Sequence, residues 1–183
     1  DYALHRAGCE IWDGHVFVLL GVSVPSVPSL PAFPALPARP LRDQLADLPQ
    51  RFAAYRMADL RLGRRIVYDV KANWKLIVLN YNECLHCPSV HPTLNKLSHY
   101  LSGENEPFRN NYMGGRMDLT DGTATMSMDG TCKRSPLPGL SEDERRHVYY
   151  YSLFPNFMIA PHPDYVLTHA LWPLAPNRTL IIC

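Results

Sequence analysis

Three side chains that can bind a metal ion lie close together in the chain: Glu83, His86 and His91. The apolar residues around them recur at helical intervals, and residues three apart on a helix share a face, so Glu83 and His86 are predicted to point the same way. His91 follows Pro88, where the chain is expected to bend back toward the same point. Two imidazoles and one carboxylate form the facial triad of non-haem Fe(II) enzymes, which leaves positions open for dioxygen. The spacing is therefore compatible with an iron site that takes its carboxylate from elsewhere.

The same segment permits other interpretations. Cys84 and Cys87 flank His86, and with His91 they could form a zinc site of mixed ligands. Free cysteines are also common as small buried apolar residues, and histidines are common as hydrogen-bonded structural residues. A Rieske cluster needs two cysteines and two histidines, and the sequence holds no second box of these residues, so the cluster itself is not predicted here.

The composition argues against several classes of function. With 46% apolar and 19% charged residues, the chain is typical of a globular protein and not of a disordered one. A net charge of +1 gives no reason to expect a nucleic acid or an anionic membrane as a partner. The longest apolar stretch, Val16–Val24, is shorter than the ~20 residues that span a bilayer. We therefore expect no nucleic-acid or membrane partner.

The cysteines and the first residues indicate a compartment. Five cysteines are an odd number, which favours a reducing environment and metal chemistry over a disulfide framework. The opening residues, Asp1–His5, show no signal-peptide pattern. We expect a cytoplasmic location, and we interpret the chain as an internal piece of a longer polypeptide.

Hydrophobic periodicity places the candidate site between a helix and a series of strands. Apolar residues at three- and four-residue intervals predict a helix over 72–87 that Pro88 ends. Before it, the pattern predicts a short helix in 41–55, interrupted by Pro49, and a strand at 64–70. After it, short runs separated by turn residues predict strands at 116–119, 124–128, 148–154, 157–161, 165–172 and 179–182. A helix followed by antiparallel strands indicates an α+β domain.

The N-terminal part contains a hairpin signal and a proline repeat. Apolar runs on either side of Asp13-Gly14 predict two short paired strands. Between Pro25 and Pro40 a proline stands at every third position, which is the period of a polyproline II helix. This stretch is either a stiff connector between two folding units or an ordinary surface loop.

The order and spacing of five segments resemble the catalytic domain of Rieske non-haem oxygenase α subunits. These segments are Ala72–Lys75, Asn80–Pro92, Tyr149–Asn156, His162–Val166 and Leu171–Pro176. The pattern Glu-Cys-x-His-Cys-x-x-x-His is similar to that of the branch with choline, glycine-betaine and carnitine oxygenases. The resemblance implies a helix-grip fold of the START/Bet v1 type with a curved antiparallel sheet. It also implies three parts: a remnant of a Rieske domain (1–22), a linker (23–40) and a truncated catalytic domain (41–183).

The resemblance also implies roles for individual residues. His86 and His91 would be two ligands of a mononuclear Fe(II), and Glu83 would bridge this site to a Rieske [2Fe-2S] cluster on a neighbouring subunit. Asn80, one turn before Glu83, either supports these residues or is a solvent-facing helix residue. The cluster ligands are expected before Asp1 and the third iron ligand, an aspartate, after Cys183. We therefore expect that this chain alone does not turn over.

The resemblance implies O2 and an organic substrate, which is hydroxylated or demethylated. Electrons would come from an NAD(P)H-dependent reductase or a ferredoxin, and the assembly would be a homotrimer. The substrate remains open between a quaternary amine and an aromatic hydrocarbon destined for catabolism. A set of aromatic residues can cage a quaternary ammonium group or simply pack the core: Tyr149, Tyr150, Tyr151, Phe154, Phe157 and Trp172. The alternatives are a metal-free module that binds a hydrophobic ligand and a degenerate homologue.

Overall fold

A computed structural model describes residues 7–20 and 39–183 of the chain. Their strands are β1 (Ala7–Trp12), β2 (His15–Leu20), β3 (Val67–Val70), β4 (Glu104–Arg109), β5 (Tyr112–Asp118), β6 (His147–Leu153), β7 (Phe157–Pro161), β8 (Val166–Ala175) and β9 (Arg178–Ile182). Their α-helices are α1 (Leu41–Leu45), α2 (Leu48–Arg51), α3 (Trp74–Asn82), α4 (Cys87–Val90) and α5 (Pro92–Leu97). Short 3-10 turns lie at Ala53–Tyr55, Met57–Asp59, Tyr100–Ser102 and Glu144–Arg146. No helix in these two ranges is long and apolar enough to cross a membrane.

One open antiparallel sheet organises the molecule. Its seven strands follow the order β3-β9-β8-β7-β6-β5-β4, and β1 and β2 form a separate two-stranded hairpin. The pairing shifts register between Glu106 and Arg109, and again between Pro173 and Ala175. Such shifts bend the strands that contain them, so the sheet is curved. The α+β fold with a curved antiparallel sheet is therefore confirmed.

Successive side chains of β6 point to opposite faces of the sheet and so lie in two different environments. Tyr150 packs its ring against that of Tyr81 on α3, and the hydroxyl of Ser152 accepts a hydrogen bond from the side-chain amide of Asn82 on the same helix. Tyr151, between them, points to the other face, since successive side chains of a strand alternate. The helix α3 and the loops after it thus cover one face, while the N-terminal elements cover the other.

The N-terminal face holds the larger core. Phe52 is 1% exposed, and its ring meets those of Tyr55, Tyr149 and Tyr151 edge to face at centroid distances of 5.7, 5.5 and 5.4 Å. Such pairs add to the gain from burying apolar area. Arg51 of α2 donates a hydrogen bond to the hydroxyl of Tyr151 at 2.6 Å. Its guanidinium also forms ion pairs with Asp47, which precedes α2, and with Glu106 on β4. These contacts fix α2 to the sheet.

The predicted hairpin is confirmed, and it packs on this core. The carboxylate of Asp13 accepts hydrogen bonds from the backbone N–H groups of Met57 and Ala58, at 2.8 and 2.9 Å. Trp12 is buried in the same core cluster. Residues 1–6 and 21–38 lie outside the described part of the chain, and nearly all of the predicted polyproline segment falls there. The assignment of residues 1–22 to a Rieske domain stays a prediction.

Several predicted boundaries differ from the structure. The predicted helix over 72–87 is shorter at both ends, and α3 ends at Asn82. The strand predicted at 124–128 is wrong. These residues form an irregular loop, in which Asp129 accepts bonds from Ser127 and from the backbone and hydroxyl of Thr131. Strand β4 was not predicted, since its charged side chains and Pro107 do not give an apolar pattern. Charge and proline are usual on an edge strand.

The core on the N-terminal face predicts the effect of removing Phe52. We expect Phe52→Ala to lower the free energy of unfolding by roughly 3–5 kcal/mol, because the neighbouring rings cannot fill the cavity. Urea unfolding followed by circular dichroism measures this. Leu62→Ala is the control, since Leu62 is 72% exposed, and its change should stay within about 0.5 kcal/mol. An equal change in both variants would contradict the packing described here.

Candidate metal centre

The candidate ligands lie in the segment after α3, at the ends of two short helices rather than within them. Glu83 is extended, with φ −124° and ψ 151°, so it lies just outside the helix. His86 immediately precedes α4, and His91 lies between α4 and α5. The prediction that Glu83 and His86 share a helical face is therefore wrong. A turn brings them together instead, closed by the backbone bond from Cys87 N–H to Cys84 C=O at 3.0 Å.

The two histidines are neighbours in space. Their ring centroids are 5.2 Å apart and their planes are inclined at 77°. Both line a cleft of about 450 Å³ between the residues after α3 and the sheet. His91 is exposed, whereas the side chain of His86 is only 20% exposed. This arrangement allows one ion in the cleft to approach both imidazoles.

Glu83 orients His86. One carboxylate oxygen of Glu83 accepts a hydrogen bond from Nδ1 of His86, and the other accepts one from the backbone N–H of Leu85 at 2.7 Å. The bond from His86, followed by the bond from Leu85, lowers the pKa of the Glu83 carboxyl and keeps it ionised. With its proton on Nδ1, His86 offers Nε2 to a metal. A carboxylate in this position usually fixes the tautomer and the ring orientation of a metal-binding histidine.

These residues fit a mononuclear metal ion, although they do not complete its ligand set. In the part of the chain that the structure describes, no group of three or more His, Cys, Asp or Glu residues is placed to hold a metal ion. His86 and His91 would thus supply two donors to such an ion, while Glu83 is bonded to the ring of His86. Asn80 is exposed on α3 and lines the cleft, as expected for either of its two predicted roles.

The cysteines differ from the expectation of free thiols. Cys84 and Cys87 are joined by a disulfide, and their Cα atoms are 5.1 Å apart, within the usual range for a bridge. The predicted alternative of a mixed zinc site is therefore not formed in this state, because each sulfur is bonded to the other. Cys9, Cys132 and Cys183 are free.

The predicted aromatic cage is divided by the sheet. Of its six members only Tyr150 lines the cleft, while Tyr149, Tyr151 and Phe157 pack in the core of the opposite face. The second aromatic residue of the cleft is Tyr81, whose ring lies 5.8 Å from that of Tyr150, edge to face. Tyr81 is one of the regularly spaced apolar residues that predict the helix over 72–87. That spacing does not distinguish a core position from a position on the cleft.

The ring of a buried histidine, His162, packs against the ring of Tyr150. The ring of His162 lies 6.2 Å from that of Tyr150 and stacks on Tyr165 at 4.3 Å. Its Nδ1 is buried without a hydrogen-bond partner in the described part of the chain. Loss of solvation lowers the pKa of His162 to about 4, so the ring is neutral at neutral pH. Burial likewise raises the pKa of Tyr81 and of Tyr150, which remain protonated.

Comparison with known proteins identifies relatives of this chain. Residues 57–183, more than half of the chain, match the family described as ring hydroxylating alpha subunit (catalytic domain). Over 99% of its length the chain is 22% identical to the glycine betaine monooxygenase oxygenase subunit of Pseudomonas aeruginosa, and it covers 46% of that protein. A stretch of 54 residues is 44% identical to the carnitine monooxygenase oxygenase subunit of Acinetobacter pittii, covering 28% of this chain and 15% of that protein. The chain spans less than half the length of these relatives.

Solved structures share the fold. A quaternary ammonium Rieske monooxygenase in complex with an inhibitor matches with a TM-score of 0.68 at 20% identity, covering 96% of this chain and 40% of that one. A naphthalene 1,2-dioxygenase variant matches with a TM-score of 0.53 at 15% identity, covering 96% and 42%. The curated relatives above are named for glycine betaine and carnitine, so the expectation of aromatic hydrocarbon catabolism does not fit them and is corrected.

The burial of His162 predicts a pH dependence of stability. The unfolded chain protonates this histidine near pH ~6.5, but the folded chain only near pH 4, so unfolding takes up a proton between these values. The free energy of unfolding therefore falls as pH falls through this window, by up to about 1.4 kcal/mol per pH unit from this group. In His162→Phe this part of the slope should disappear. Urea unfolding at several pH values measures it, and exposed His99→Gln should keep the wild-type slope.

Proposed function

The chain belongs to the family of ring-hydroxylating α-subunit catalytic domains, and on that premise we propose that it carries the mononuclear-iron site of a Rieske-type monooxygenase. The observation that carries the proposal is the pair of imidazoles, His86 and His91, 5.2 Å apart at one cleft, with Glu83 bonded to Nδ1 of His86. Nitrogen donors with an open coordination sphere suit Fe(II) in oxygenases. Relatives named as monooxygenase oxygenase subunits support the same activity.

In this proposal each residue has a defined task. His86 and His91 bind Fe(II), and an aspartate outside this chain completes the ligand set. Glu83 accepts the Nδ1 hydrogen bond of His86 and would link this iron site to a [2Fe-2S] Rieske cluster of a neighbouring subunit, while Asn80 borders the same cleft. When bound, the iron supplies the activation of dioxygen. The chain's own residues orient that ion and shape the cleft beside it.

The remaining partners follow from the same family. Electrons reach the cluster from an NAD(P)H-dependent reductase or a ferredoxin, and the subunits form a homotrimer, because the Rieske cluster of one subunit would serve the iron of the next. One solved relative is described in terms of inter-subunit electron transfer, which supports this assembly. We retain the proposed division into a Rieske-domain remnant (1–22), a linker (23–40) and a catalytic part (41–183).

We propose a quaternary ammonium compound as the substrate, oxidised by hydroxylation or demethylation. Tyr81 and Tyr150 present neutral aromatic rings to the cleft, and Glu83 contributes an ionised carboxylate. Arg116 also lines the cleft, but its guanidinium is paired with the carboxylate of Glu104 at 3.0 Å. Aromatic rings and a carboxylate both attract a cation. A trimethylammonium group has no N–H to donate, so its methyl groups pack better on an aromatic ring than on a charged hydrogen-bonding group. The glycine betaine and carnitine enzymes among the relatives support this choice over an aromatic hydrocarbon.

Metal binding tests the site itself. We expect His86→Ala and His91→Ala each to abolish measurable Fe(II) binding by the full chain under anaerobic conditions, because each removes one of two imidazole donors. Glu83→Gln should weaken binding by about 10–100-fold, since it loosens the orientation of His86 without removing a donor. Isothermal titration calorimetry measures both effects.

His99→Ala is the control, because His99 is exposed and does not line the cleft. Its Fe(II) affinity should equal that of the wild type. Unchanged affinity in both His86→Ala and His91→Ala would refute the iron site. A wild-type chain that binds no metal would instead favour the metal-free ligand-binding module.

Ligand binding tests the substrate class. Tyr81→Leu should weaken the binding of glycine betaine by about 2–30-fold, which corresponds to the 0.5–2 kcal/mol of a cation–π contact. Tyr68→Leu is the matched control, since Tyr68 is 50% exposed on β3 and does not line the cleft. Fluorescence titration measures both. Equal loss in both variants, or tighter binding of benzoate than of glycine betaine, would contradict the proposed substrate.

A further inference from the structure

An asparagine on the edge strand β4 has no role in the proposed oxygenase site. Asn105 lines the cleft and is exposed. The side-chain amides of Asn82 and Asn111 each donate to a backbone carbonyl, at 2.7 and 2.6 Å. The amide of Asn105 has no such partner within residues 7–20 and 39–183. It is therefore free to bond a molecule in the cleft.

Alternation along β4 turns this amide toward the cleft. Glu106 accepts a hydrogen bond at 2.9 Å from the hydroxyl of Tyr151, whose ring packs in the core of the N-terminal face. Glu104, two residues before Glu106, holds the guanidinium of Arg116 at 3.0 Å. Asn105 stands between these two glutamates, so its side chain points to the opposite face of the sheet. The uncommitted hydrogen-bonding side chain that β4 presents to the cleft is therefore that of Asn105.

Three residues in register across β4, β5 and β6 form one wall of the cleft. Asn105 is paired with Gly115, Gly115 is paired with Tyr150, and all three line the cleft. Because Gly115 has no side chain, bare backbone separates the amide from the ring over two strand spacings, or about 9–10 Å between Cα atoms. A Cβ atom at position 115 would lie 2.1 Å from the carbonyl oxygen of Glu104, so β4 has to move before a larger residue fits.

This wall carries a different kind of binding group at each end. At one end the ring of Tyr150 lies 5.8 Å from that of Tyr81, and such rings attract a cation. At the other end the amide of Asn105 offers two N–H donors, and hydrogen bonds to a charged acceptor are the stronger ones. The ionised carboxylate of Glu83 belongs to the segment after α3, which forms the other wall. The cleft thus matches a ligand with a cation at one end and a carboxylate at the other.

We propose that Asn105 is a specificity-determining residue, whose amide binds the carboxylate of a zwitterionic quaternary ammonium ligand. The ligand lies across Gly115 with its ammonium group at the rings of Tyr81 and Tyr150. This inference rests on the proposed function, because it needs the cation at those rings. It narrows the substrate class, since it favours ammonium carboxylates over quaternary ammonium compounds without a carboxylate.

The test compares three ligands that share the cationic group and differ at the other end. Glycine betaine carries a carboxylate, choline a hydroxyl, and tetramethylammonium neither. Fluorescence titration of the full chain gives the Kd of each ligand for the wild type, Asn105→Ala and Asn105→Asp. The aspartate variant keeps the size of the side chain and replaces the N–H donors by a negative charge. It repels a carboxylate but can still accept a bond from a hydroxyl.

We expect Asn105→Ala to weaken the binding of glycine betaine by about 3–30-fold, because one hydrogen bond to a charged group is lost. Asn105→Asp should weaken it further, because the two carboxylates repel each other. Neither variant should weaken the binding of tetramethylammonium, and Asn105→Asp should retain choline. Asn177→Ala is the matched control, since Asn177 is exposed and does not line the cleft, and it should bind all three ligands as the wild type does.

Two results would overturn the inference. One is glycine betaine affinity that is the same in the wild type and in both variants of Asn105. The other is a parallel loss for all three ligands, which would mean that Asn105 only maintains the shape of the cleft.

Tetramethylammonium separates this inference from the proposed substrate class. If its binding is weakened in Tyr81→Leu while glycine betaine does not respond to Asn105, only the role of Asn105 is refuted. If the wild type binds none of the three ligands, or binds them as tightly as Tyr81→Leu does, the proposed substrate class fails and the role of Asn105 fails with it.

Discussion

The position of the candidate metal centre depends on the side chain of Asn82. Its amide donates to the C=O of Val78 in the last turn of α3 at 2.7 Å, and to the hydroxyl of Ser152 on β6 at 2.8 Å. The end of the helix is thereby tied to a central strand of the sheet. Because Glu83 is extended, the chain leaves α3 at this point, and every candidate ligand follows within the next turn and two short helices. The half-buried amide of Asn82 thus helps to fix the cleft relative to the sheet, together with the apolar packing of α3 around Val78.

The larger apolar core and the cleft lie on opposite faces of the sheet. Its N-terminal face is packed by rings around Phe52, and the hydrogen bonds of Arg51 and Asp13 hold α2 and the hairpin in place. Its other face carries α3 and the cleft. Alternation assigns Tyr149 and Tyr151 to the first face and Tyr150 to the second. Neighbouring residues of one strand therefore serve different purposes, and the scaffold can be rigid without closing the cleft.

Two neutral aromatic rings line the cleft together with the charged residues Glu83 and Arg116. Burial keeps Tyr81 and Tyr150 protonated, so these rings contribute apolar faces and hydroxyl groups rather than charge. Glu83 stays ionised because His86 and the backbone of Leu85 donate to it. One carboxylate thereby orients the imidazole of His86. In the proposed function the same side chain would also add negative charge near a cationic ligand.

The sequence by itself determined the class of fold and predicted the residues of the candidate site. The order Glu83, His86, His91 is a local motif, and the short apolar runs of β6 and β7 between turn residues are a local pattern, so both could be recognised without tertiary contacts. Local periodicity could not locate the end of α3, because the bond that fixes it comes from Ser152, 70 positions away. Nor could it identify Tyr81 as a residue of the cleft, since core and cleft positions share one apolar stripe. Only the tertiary structure decided which face each tyrosine occupies and that Cys84 and Cys87 meet, because both depend on how a turn and a curved sheet bring side chains together.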